Sequence, residues 1–99
     1  MDKRINDMEW LIKIDKISNI RIRVVYSPID GQITFNGEYK LNNNKWVSFA
    51  HKSMDEHLTL LDIQEILYDI YKEVLKKSEK YNDLNNTFNA IKMVDILID

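Results

Sequence analysis

The sequence predicts a small α+β domain: an antiparallel β-meander of three or four strands, one long amphipathic helix packed on it, and a C-terminal apolar segment, strand or helix. Three observations carry this prediction. Residues 20–41 alternate with the two-residue period of strands, and residues 58–77 recur with the period of a helix. Pro28, Asp30-Gly31 and the run Asn42, Asn43, Asn44 fall where the alternation must reverse direction.

Residues 20–41 form the firmest hairpin. Ile20, Ile22, Val24 and Tyr26 share one face of the first strand, and Ile33, Phe35, Tyr39 and Leu41 share one face of the second. Pro28 pre-sets φ for a turn's second position, and Asp30-Gly31 supplies a residue that tolerates the left-handed region to close it. Pairing Ser27 with Gln32 then sets Tyr26 against Ile33, Val24 against Phe35, Ile22 against Gly37 and Ile20 against Tyr39. On the opposite face, Arg21 meets Glu38. A slip of one residue would carry the apolar set to the wrong face, so the register is well specified.

Asn tolerates the left-handed region, so Asn42 to Asn44 make a second turn, and the next strand begins at Lys45. Strict alternation places Trp46, Ser48 and Ala50 on one face and Val47, Phe49 and His51 on the other, leaving apolar side chains on both. Upstream, residues 5–17 fit either a helix (Ile5, Met8, Ile12) or a strand. The strand is favoured, because it sets Trp10, Ile12 and Ile14 against Val24, Ile22 and Ile20.

The long helix starts near Leu60. Thr59 is a capping residue, Asp62 sits three positions later as in a capping box, and Leu58 can staple to Ile63. At 100° per residue, Leu60, Ile63, Ile66, Leu67, Ile70 and Val74 share a face. Tyr71, Leu75, Tyr68 and Leu61 widen it to about 200°, where an ordinary stripe is roughly 100°. One sheet cannot cover that arc. After Tyr81, the residues NDLNN read as a loop, and residues 87–98, apolar nearly all round, lean towards a buried strand and are a candidate second neighbour for the helix.

Composition narrows the function classes. Ninety-nine residues, 44% hydrophobic and 30% charged with one Pro and two Gly, predict a single folded domain over residues 1–99. The absence of cysteine excludes disulfides, thiolate chemistry and Cys-based zinc sites, and suits a reducing cytoplasm. Residues 1–8 are polar and no apolar run approaches the ~20 residues of a membrane span, so a soluble protein without a secretion signal is expected. A net charge of −2 argues against a general polyanion binder. Frequent Ile, Lys and Asn, encodable by A/T-only codons, with Arg only at positions 4, 21 and 23, point to an AT-rich genome, such as that of a low-GC bacterium, its phage or a mobile element.

No catalytic constellation stands out. His51, Asp55, Glu56 and His57 match no metal-ligand spacing, so no metal is expected. On a strand, Ser48 and His51 point to opposite faces. Gly31 and Gly37 lie within one hairpin rather than in a phosphate-cradling turn before a helix, so no nucleotide or other cofactor is expected. The row Asp62, Glu65, Asp69, Glu73 followed by Lys76, Lys77 and Lys80 complements the helix dipole, which suits a solvated face.

Arg21, Arg23, Lys40 and Lys45 beside Trp46 could form a stacking platform for single-stranded nucleic acid on the outer sheet face, an alternative that Glu38 opposes. Four strands leading into the capped segment HLTLLDIQEIL resemble the coactivator-type single-stranded DNA binders, whose four-strand meander leads into a helix that dimerises. The resemblance covers topology and the capping turn, and no basic motif matches.

The leading expectation is a non-enzymatic interaction protein that self-associates and binds another protein, in the manner of a phage- or mobile-element-encoded inhibitor. Its expected interaction surface comprises Leu61, Tyr68, Tyr71, Leu75 and Trp46. Tyr and Trp suit such a surface because they bury large areas while keeping a polar handle.

Overall fold

The computed structural model describes residues 7–16 and 18–98, with side chains described as far as residue 91. Ile5 and Ile17 of the ambiguous N-terminal segment lie outside these residues. Four strands, β1 (Met8–Ile12), β2 (Ile20–Ser27), β3 (Gln32–Lys40) and β4 (Trp46–Asp55), form one antiparallel sheet in the order β1-β2-β3-β4, and one helix, α1 (Leu60–Ile98), follows.

The hairpin register is the one that alternation demands, with Ser27 opposite Gln32 and Ile20 opposite Tyr39. Gly31 takes φ of 66°, and its N–H donates to the Ser27 carbonyl at 2.8 Å. Asn44 takes the same φ in the second turn, where the Leu41 N–H donates to the Lys45 carbonyl at 2.8 Å. β1 is a strand, with Trp10 opposite Val24 and Ile12 opposite Ile22. It ends at Ile12, so Ile14 is not laddered to Ile20 and lies exposed.

Two further expectations are corrected. The first concerns β4, where Gly37 pairs with Ala50 but Glu38 pairs with Ser48, leaving Phe49 as an extra residue. This bulge breaks strict alternation: Phe49, Ala50 and Met54 all pack towards the helix-side core, whereas Ser48 and His51 oppose the outer-face residues Glu38 and Asn36. β4 also runs to Asp55, so His51 and Asp55 both lie on the strand.

The second concerns the C-terminal part. The helix passes unbroken through NDLNN and residues 87–98, with neither the expected loop nor a strand there. Asn is a mediocre helix former but not a breaker, and residues 82–98 contain no Gly or Pro to stop an established helix. The tail therefore does not fold back to roof the helix.

α1 begins as its cap predicts. The Asp62 N–H donates to Thr59 Oγ1 and the Thr59 N–H donates to Asp62 Oδ2, each at 3.1 Å. Ile66, Ile70 and Val74 then bury against Ile20, Ile22, Val24 and Phe35. Gly37 sits under this crossing, and a Cβ there would overlap Cγ2 of both Val74 and Ile70. At the far end, Tyr39, Phe49 and Tyr81 cluster with ring centroids 5.4–6.4 Å apart, and Asn82 Nδ2 donates to the Tyr39 hydroxyl at 3.2 Å. Phe49, left without a partner in the ladder, accepts a hydrogen bond at its carbonyl from Lys77 Nζ at 2.8 Å.

Substituting Gly37→Ala should destabilise the fold by about 1–3 kcal/mol, because an added methyl must push the helix off the sheet. Urea unfolding checks this, with the midpoint falling at an unchanged slope. A midpoint as high as the parent's would show that the seat is looser than its geometry implies.

Candidate interaction surfaces

The outer sheet face, opposite α1, carries the residues of the nucleic-acid alternative. Arg21 Nε donates to Glu38 Oε1 at 2.7 Å and Arg23 Nε donates to Glu38 Oε2 at 3.1 Å, while Arg23 Nη1 also pairs with Glu9. Glu38 is buried between them. The hydrogen bond to Glu38 raises the pKa of Arg23 above its ordinary value. Trp46 lies beneath the Arg21 guanidinium at 4.1 Å, with Lys40 Nζ 5.9 Å from its ring. Lys45 is exposed in the turn before β4. Arg21, Arg23, Lys40 and Trp46 are thus brought together, but both guanidinia are committed to carboxylates and one covers the indole face a base would need.

On the helix, Leu61 is 64% exposed, Tyr68 59% and Leu75 39%. Tyr71 is half-buried against the core and belongs to its rim. Lys72 Nζ sits 4.8 Å over the Tyr68 ring. Trp46, grouped with these residues from sequence, lies on the opposite face of the sheet. The expected surface is therefore three spaced helix residues, with Tyr71 and Trp46 outside it.

Two larger apolar features were not singled out from sequence. Among the described residues α1 packs on β2, β3 and β4 and leaves β1 uncovered. Trp10, Ile12, Val24, Tyr26, Ile33, Phe35 and Ile63 accordingly line an open groove of about 630 Å³ on the helix side of the sheet. Its polar end is Glu56 and His57, where the Tyr26 hydroxyl donates to Glu56 Oε1 at 2.6 Å. The second feature is the part of α1 beyond Asn82. Leu84, Phe88 and Ile91, exposed at 44%, 58% and 46%, continue the helical face that Ile66 and Ile70 present to the sheet, past the point where the sheet ends.

Both features had a signal. Winding the helix on through NDLNN at 100° per residue aligns Leu84, Phe88 and Ile91 with Ile66 and Ile70. Four strands beneath one helix leave apolar residues at an edge. His51 bonds to Asn36 Oδ1 on the outer face at 2.8 Å, whereas His57 lines the groove, so the two imidazoles do not converge. No helix among the described residues is long and apolar enough to cross a membrane.

No protein-family model, curated protein or solved structure matches this chain, so its function must be argued from this geometry.

The hydrogen bond to Glu56 raises the pKa of the Tyr26 phenol above its ordinary value, since it holds the neutral form beside a carboxylate. Tyr26 should therefore ionise above pH 10 in a tyrosine-resolved NMR titration, and Glu56→Gln should lower its midpoint. A raised folded-state pKa means that the stabilisation is present below the unfolded value and is lost as pH rises through the folded one. An unchanged midpoint in Glu56→Gln would count against the bond.

Proposed function

We propose that this chain is a non-enzymatic interaction protein that assembles with itself and, once assembled, binds another protein. The observation that carries this reading is the unsupported half of α1. An isolated helix of this length gains little from propensity alone, and most helical stability in proteins comes from packing an amphipathic face. Leu84, Phe88 and Ile91 present such a face with no sheet beneath it. Residues 84–91 also carry no charged side chain, whereas the preceding turns are densely charged, and depletion of charge marks the core of an interface.

The outer face gives nucleic acid little purchase, because Glu38 and Glu9 already hold its arginines. The finer form of the proposal, a homodimer acting in the cytoplasm as a phage- or mobile-element-encoded inhibitor, draws its support from the codon-biased composition and the lack of cysteine. Leu61 and Tyr68, exposed on α1, are the candidate contacts for the second partner.

Sedimentation equilibrium at micromolar concentration should show a dimer. Phe88→Ala preserves helix propensity yet removes about 1.5–3 kcal/mol of burial per copy, counted twice in a symmetric dimer, so the dissociation constant should rise by roughly 10²–10⁴-fold. A parent chain that stays monomeric would defeat the proposal.

A further inference from the structure

Resting on that reading, we infer that the occupant of the groove beside β1 is a second copy of this chain: the overhanging end of α1 in each copy lies in the groove of the other. The two leftover apolar surfaces are of opposite form. One is a groove over β1 and β2, lined by Trp10, Val24 and Tyr26; the other is a convex helical ridge, Leu84, Phe88 and Ile91.

Placement allows the exchange. Lys77 reaches the Phe49 carbonyl, so that flank of α1 lies over β4. Leu75, about 200° around the helix from Lys77, faces away from β4, and the groove lies over β1 and β2. A helix entering antiparallel beside α1 would meet Leu75 first and then reach Trp10 and Ile63. A two-fold axis perpendicular to the helices relates two such antiparallel copies, and it makes the contact isologous and closed.

The exposed surface is large enough for such a dimer to bury. The chain exposes 7379 Å², against about 5,900 Å² for a compact monomer of 11.8 kDa. The excess, about 1,500 Å², compares with roughly 800 Å² per partner in a standard interface and more in permanent homodimers. The radius of gyration, 17.9 Å, likewise exceeds the roughly 13 Å of a compact chain of this length. A groove lined almost wholly by uncharged residues suits a ridge whose residues 84–91 carry no charge.

Two tryptophans on opposite faces make the test direct. In Trp46→Phe, Trp10 is the remaining indole, 46% exposed in the lone chain. Its emission should shift to shorter wavelength in step with the dimer fraction measured by sedimentation. In Trp10→Phe, the emission of Trp46 should not move with assembly. Because the chain has no cysteine, Ile91→Cys mixed with Trp10→Cys should give a mixed disulfide on mild oxidation, and Ile91→Cys alone should give little. A dimer in which Trp10 emission stays constant and Ile91→Cys cross-links to itself would overturn this inference while leaving self-association intact. A monomer throughout would overturn both.

Discussion

The close approach of α1 to the sheet at Gly37 is the constraint on which the rest of the structure depends. The helix can come within touching distance of β3 only where no Cβ stands, and Ile70 and Val74 occupy that space. The adjacent bulge turns Phe49 towards the helix, and its ring meets Tyr39 and Tyr81. Seat and ring cluster together set the line of the helix. It follows β3 from the Ile33 end to the Tyr39 end and then leaves the sheet.

From that line follows a mismatch of lengths. The nine residues of β3 span about 30 Å, whereas the 39 residues of α1 span about 58 Å. A helix centred on β3 also reaches only its neighbours, so β1 is left bare. The overhang and the groove are thus two consequences of one docking position, one along the helix axis and one across it. Shortening the helix would abolish the first without touching the second, so nothing intrinsic to the fold requires both.

Much of this was legible in the sequence. The β2–β3 register, both turns, the strand identity of β1 and the Thr59–Asp62 box are local or period-two features, and each has a short-range cause that a single sequence displays. The bulge at Phe49 was not legible, because one extra residue in a strand is decided by whether Phe49 and Ala50 can both reach the core. Nor was the continuity of α1. Asn82, Asn85 and Asn86 carry the signature of a loop, but Asn does not break an established helix, and the hydrogen bond from Asn82 to Tyr39 adds a tertiary anchor at that turn. The stripe over Leu61, Tyr68 and Leu75 is exposed as the helical period implies, whereas which face of β4 carries Trp46 was left open by a strand that reads apolar on both sides.

The charge distribution separates the two faces of the sheet by role. Outside, two arginines, two glutamates and an indole satisfy one another, and removing Glu38 from between the two guanidinia would take from Arg21 its carboxylate and leave Arg23 with Glu9. Such a network stiffens a surface more than it recruits a ligand, since any incoming anion must displace a carboxylate already in place. On the helix side, the groove floor is hydrocarbon and aromatic, with its polar groups confined to one end at Tyr26, Glu56 and His57. Water on that floor gains few hydrogen bonds, so covering it costs little in polar desolvation and removes apolar surface. The exposed apolar surface is therefore concentrated on the helix side, where Leu84, Phe88 and Ile91 also lie bare.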